Sequence, residues 1–197
     1  MSLNLSENEI KCLKEVEFWR LSKEVNKKLE VFLYDIQHEY EAILNDSSNQ
    51  NIQFLSSSHR KVSKGNNYKG LPYLVLDYPA IFDRKNIFTI RTMIWWGKFI
   101  SLHLILKGKP LNDLKSAIKS KKSFLSDKNF YFCIDKTPWN HDFSPDKHIQ
   151  YEVLTDEIFD KQSENFIKTG KYCDVIGFED WQDFCTTNFK NLIYTLK

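Results

Sequence analysis

The stretch 87–106 constrains the fold more than any other part of the chain. It holds two runs of β-forming residues, 87–95 and 99–106, joined at Trp96-Gly97-Lys98. Side chains alternate across a strand, so a one-residue slip in pairing would exchange the two faces. A three-residue loop sets odd positions against odd and even against even. One face then collects Ile90, Ile94, Ile100, Leu102 and Leu104. The other carries Thr89, Arg91, Trp95, Ser101 and His103. A two-residue loop would mix the two sets on both faces. Burial of one face specifies register, so the pattern predicts the three-residue loop with Gly97 at a positive φ.

The rest of the chain is read around this hairpin. Tyr73–Tyr78 is rich in β-formers, and Pro79 is read as its end. Further strands are expected around 51–55, at Phe130–Ile134 and over 172–176, and the stretch 135–150 reads as irregular. Ser6-Glu7-Asn8-Glu9 is a capping box for a helix over 7–18. A second helix is expected over 21–45, where Val25, Leu29, Phe32, Ile36, Tyr40 and Ile43 recur at steps of three and four. The polar region 46–70 reads as a loop. Asn112 caps a predicted helix over 113–122, and Thr155 one over 156–168 that Gly170 stops. A last helix is expected over 179–196. Together these predict a single α+β domain over 1–197, an antiparallel sheet of about four to six strands with N-terminal helices and a C-terminal helix packed on it.

Charge is segregated. Residues 57–128 carry a net +11, while the segments before and after carry −4 and −5. This pattern fits an anionic partner, and it equally fits a basic sheet neutralised by acidic helices within one fold. The four cysteines, Cys12, Cys133, Cys173 and Cys185, have neither zinc-knuckle nor redox spacing, so they read as free thiols of a cytoplasmic protein. The N-terminal residues lack the basic and apolar regions of a signal peptide. Arg91, Gly97, Lys98 and His103 interrupt the most apolar stretch, which makes it a poor membrane span.

Three constellations could carry function. The first is the polar sheet face, where Arg91 lies opposite His103 with Trp95 nearby, and where Tyr73 and Asp77 share one face of the preceding strand. A guanidinium, an imidazole, a carboxylate and aromatic walls suit a small anionic ligand. The bland alternative is a covered face whose polar groups satisfy one another. The second is His141, Asp142, Asp146 and His148, donors suited to a divalent metal but at no established spacing, in what also reads as an ordinary surface loop. The third is basic: Lys115, Lys119 and Lys122 share a helix face, and Arg60 and Lys61 precede them on the loop. These could track nucleic-acid phosphates or form a solvated surface. No nucleophile elbow and no phosphate-cradling glycine loop occurs, and no cofactor is implied.

The leading expectation is therefore a non-catalytic ligand-binding or interaction module, whose partner is a small anion or a protein. A nucleic-acid-associated protein is the alternative, and a metal-dependent enzyme the weaker one. An uncovered strand edge or aromatic patch could also make a homodimer. Residues Gly70–Pro79 with Arg91–Gly97 resemble strings in short uncharacterised bacterial proteins, over about thirty residues. The resemblance implies a bacterial cytoplasmic protein of unassigned function, and brings no activity or site.

Overall fold

A computed structural model describes residues 3–46 and 59–197. The expected strand at 51–55 lies outside the described residues. Two helices open the chain, α1 (Glu7–Lys14) and α2 (Val16–Asn45). The capping box forms as read: Ser6 Oγ accepts from the Glu9 amide at 3.4 Å, and Glu9 Oε2 accepts from the Ser6 amide at 2.7 Å. Four strands follow as a meander: β1 (Lys61–Tyr68), β2 (Leu71–Phe82), β3 (Ile87–Trp95) and β4 (Phe99–Lys107). Then come α3 (Lys109–Ser120), α4 (Lys122–Asp127), β5 (Tyr131–Cys133), β6 (His148–Gln150), α5 (Asp156–Gln162), β7 (Ile167–Asp174) and α6 (Trp181–Tyr194). The seven strands form one antiparallel sheet in the order β1-β2-β3-β4-β7-β5-β6. The domain is α+β as expected, with more strands than the four to six expected.

The hairpin register is the one its alternation requires. Trp95 pairs with Phe99, Arg91 with His103, and Gly97 has φ +67. The even positions of β2, β3 and β4 face the helices. Leu74, Leu76, Ile94, Ile100, Leu102 and Leu104 are buried there against Leu33, Ile36, Phe189 and Leu192 of α2 and α6. Tyr40 of α2 stacks on Phe189 at 3.8 Å between ring centroids, and its hydroxyl meets Thr92 Oγ1 at 3.0 Å. Phe159 of α5 stacks on Phe132 of β5, so the later helices close the same core. The opposite face of the sheet is covered by the segment 134–147.

Several boundaries differ from the sequence reading. The region 46–70 is not all loop, because β1 pairs with β2 as an edge strand with a register irregularity between Gly65 and Tyr68. Pro79 does not end β2. The strand continues to Phe82 across a register shift between Asp77 and Ala80, which is where a residue without an N–H is tolerated. The helix expected over 156–168 stops at Gln162, and 167–174 becomes β7, paired with β4. Gly170 is therefore inside a strand, where it stops no helix. A Cβ there would lie 2.3 Å from His103 Nδ1 and 2.6 Å from the Leu102 carbonyl oxygen, so glycine is what lets the His103 ring lie across β7. Asn112 caps nothing: α3 begins at Lys109 after Gly108, with Pro110 in its first turn. Within 135–150, read as irregular, His148–Gln150 forms β6.

Candidate functional site: a buried base cluster beneath residues 134–147

The odd-numbered face of β2, β3 and β4 carries Asp77, Thr89, Arg91 and His103. Strand pairing stacks three of these in one row, Asp77 against Arg91 and Arg91 against His103. The Arg91 guanidinium grips Asp77 with two parallel bonds, Nε to Oδ1 at 2.8 Å and Nη2 to Oδ2 at 2.9 Å. Thr89 donates to the same carboxylate at 3.2 Å. Such a fork-to-fork pair is the strong form of the ion pair, and it leaves neither charge isolated in the interior.

The segment 134–147 brings the second sequence constellation onto the first. His141 lies over the row, with Nε2 3.1 Å from Arg91 Nη1 and Nδ1 3.1 Å from Nζ of Lys168. Lys168 comes from β7 and is fully buried. Its Nζ also donates to the Asn140 carbonyl. Trp139 sits over the Arg91 guanidinium at 5.1 Å, a cation–π contact. Phe143 plugs the layer, stacked on His103 at 5.1 Å and close to His148 at 4.9 Å. Tyr68 fastens the segment at its start: its hydroxyl accepts from the His141 amide at 2.6 Å and donates to Asn140 Oδ1 at 3.1 Å. Further along, Asp142 pairs with Lys69 and, at 3.5 Å, with Lys147.

The protonation states follow from these contacts. Arginine does not deprotonate in proteins, so Arg91 donates and Nε2 of His141 accepts. A neutral imidazole then carries its proton on Nδ1, which points at Lys168. A lysine can receive that proton only through the lone pair of an uncharged amine. The electrostatics agree. Burial pushes the Lys168 amine down to about 7; Cys133 opposes the shift, Arg91 adds to it, and Asp135 opposes it. Burial also holds His103 and His141 well below the ordinary imidazole value, with Lys168 reinforcing it. His148 is pushed down to about 3, again mainly by burial. The cluster is thus three imidazoles held neutral and an amine poised near neutrality, beside one neutralised ion pair.

Its hydrogen bonding is incomplete. Both ring nitrogens of His103 and both of His148 are buried without a hydrogen-bond partner among the described residues, as is Ser101 Oγ. His103 is 0 % exposed and His148 2 %. Buried polar atoms in native proteins are nearly always satisfied by protein or by a small bound molecule.

The remaining predicted residues lie elsewhere. Trp95 and Tyr73 are on the same face but belong to a small aromatic core with Tyr68, Val75, Met93 and Phe99, and Trp95 Nε1 donates to the Tyr68 carbonyl at 3.2 Å. Asp146 is exposed. Among the described residues, no group of three or more His, Cys, Asp or Glu side chains is placed to hold a metal ion. The basic residues are largely paired. Lys119 and Lys122 meet Asp160 and Asp156 of α5 at 2.7 and 2.6 Å, Lys115 lies 3.8 Å from Asp160, and Arg60 lies 3.5 Å from Glu41. Lys61 is exposed on the edge strand. Sequence reasoning missed Lys168, because Phe166-Ile167-Lys168 reads equally as helix or strand. The turn-prone Ser163-Glu164-Asn165 was the signal that the helix had already ended.

No family model, curated protein or solved structure matches this chain. No helix among the described residues is long and apolar enough to cross a membrane.

Proposed function

We propose that this protein binds a small anionic ligand in the base cluster formed by Arg91, His103, His141, His148 and Lys168. The observation that carries the reading is the set of four imidazole nitrogens on His103 and His148 that have no partner among the described residues, buried beside an amine and a guanidinium. The paired carboxylate, Asp77, is already held by Arg91, which leaves Asp135, near enough to act on Lys168 and His148, as a charge that an added anion would meet. An anion raises the proton affinity of the bases around it, so binding takes up protons and strengthens as pH falls. Entry requires the 134–147 segment to lift, which makes association slow. The test is calorimetric titration with inorganic phosphate and with acetate, at two pH values and in buffers of different ionisation enthalpy. Proton uptake on binding, abolished by His103→Phe, supports the reading. Absence of binding to either anion at both pH values overturns it.

A second reading rests on Lys168 alone. An uncharged amine can attack a carbonyl carbon, and loss of water then leaves an imine. Borohydride treatment in the presence of a small aldehyde would reduce that imine to a stable secondary amine on Lys168. Unmodified Lys168 under those conditions removes this reading and leaves the first intact.

The nucleic-acid alternative has less support. The Lys115–Lys119–Lys122 face is neutralised by α5, which favours internal balance as the origin of the charge segregation. Salt-sensitive binding of labelled oligonucleotides, weakened by Lys119→Glu plus Lys122→Glu, would revive it.

A further inference from the structure

The apolar stripe of α2 does not stop where the sheet stops. Phe18, Leu21, Val25, Leu29, Phe32 and Ile36 recur at steps of three, four, four, three and four, the 3.6-residue period of one helix face. Ile36 is buried in the core, and Leu29 and Phe32 are partly buried against it. Towards the N-terminus the same stripe is left open, with Val25 41 %, Leu21 46 % and Phe18 53 % exposed. The α1 helix buries none of its own residues. At the base of the projection a groove of about 490 Å³ continues the apolar surface, lined by Val25, Leu29, Phe32, Trp96, Phe178 and Trp181.

We propose that this projecting half of α2 is a self-association surface, occupied by the same stripe of a second copy running antiparallel. A seam with this spacing is filled by a helix carrying the same spacing. The charges around it select the partner. Residues 7–30 carry six acidic and six basic side chains. A strongly basic amphipathic helix would fit an anionic lipid surface, whereas a balanced one meets its own copy without repulsion. A twofold axis between Leu21 and Val25 makes the contact isologous, and lays the Phe18 end of each helix into the groove at the base of the other. Glu17 and Lys28 flank the seam on the same side, so Glu17 of one copy then faces Lys28 of the other.

The test is sedimentation velocity on the full chain from micromolar to submillimolar concentration. The expected mass is twice the 23.5 kDa of the chain. Leu21→Asp plus Val25→Asp, both exposed in the single copy, should return the protein to that mass with an unchanged circular dichroism spectrum. Lys28→Glu should weaken the dimer at least tenfold, and adding Glu17→Lys to it should restore association. That rescue is specific to the antiparallel arrangement, because in a parallel pair Glu17 and Lys28 lie about 16 Å apart along the helices and do not meet. A protein that stays monomeric throughout, including one that instead sediments with anionic phosphatidylserine vesicles, overturns the proposal. So does a dimer indifferent to Leu21→Asp plus Val25→Asp, or one that the double charge exchange fails to restore.

Discussion

Nζ of Lys168 sits 3.1 Å from Nδ1 of His141, and the proton on that line belongs to the imidazole. The reason lies on the other side of the ring, where Arg91 already uses Nε2 as an acceptor. One arginine thereby fixes the tautomer of a histidine, and the histidine in turn favours the uncharged form of a lysine that burial has already brought down to about 7. The three residues come from β3, the covering segment and β7, so the relay crosses the centre of the sheet over β4.

Lys168→Met should flatten the pH dependence of stability, at a cost of about 1–3 kcal/mol for each buried group it leaves unsatisfied, His141 Nδ1 and the Asn140 carbonyl. The amine is pushed down to about 7 in the fold, against 10.5 for an ordinary lysine. Between those values the unfolded chain holds a proton that the folded chain does not. Stability of the parent protein therefore rises with pH across about 7 to 10.5, and the penalty is full below that window. Urea unfolding at a series of pH values should show the slope in the parent and lose it in the variant.

Acid should act through the imidazoles. Their folded-state values lie below the ordinary 6.5, with His148 down to about 3. The unfolded chain binds protons first as pH falls, so stability is intact above 6.5 and declines towards 3. Carboxylate titration contributes below about pH 5 as well, so the informative comparison is with His103→Phe. That variant should flatten the decline between pH 6.5 and 5, measured by thermal unfolding.

Gly170→Ala should cost about 3 kcal/mol, at the upper end for overpacking in a filled interior. Its added Cβ would meet both the His103 ring and the Leu102 carbonyl oxygen. Combining it with His103→Ala should recover only part of the loss, because the carbonyl contact is backbone and remains. A double-mutant cycle in urea reads the coupling directly.

On the helix side, Phe189→Ala removes the ring stacked on Tyr40 and should cost about 3–5 kcal/mol. Tyr40→Phe should cost about 1 kcal/mol, through the lost bond to Thr92. Chemical denaturation of the two variants separates packing from hydrogen bonding at one site.

The hairpin was readable because alternation over 87–106 admits one register that buries a clean face. From that register came the Arg91–His103 pair. Asp77 was placed on one face of its strand by alternation, but its pairing with Arg91 was not read from the sequence. The lower half of the cluster was not readable. Lys168 lies in a short strand whose partner, β4, is far away in sequence, and no local pattern announces such a pairing. His141 and His148 were recognised as chemically capable, but their meeting with His103 depends on how 134–147 crosses the sheet, and irregular chain carries no period. Trp95 and Tyr73 were assigned to the correct face and the wrong neighbourhood, because alternation gives the side of a sheet but not the distance along it that separates an aromatic core from a polar one. Pro79 misled for a related reason: a bulge admits proline within a strand, and a bulge has no signature in a single sequence.

The strand order has a consequence for how the molecule comes into being. During synthesis β1 to β4 can zip together as a meander from neighbouring stretches of chain, while the partner of β4 is still to be made. Until β7 emerges, the inner edge of β4 stands open and the cluster lacks Lys168. The cluster is thus completed by the last strand to be translated. A nascent or truncated chain lacking β7 would hold the hairpin without the chemistry, and would offer that open edge to chaperones or to other chains.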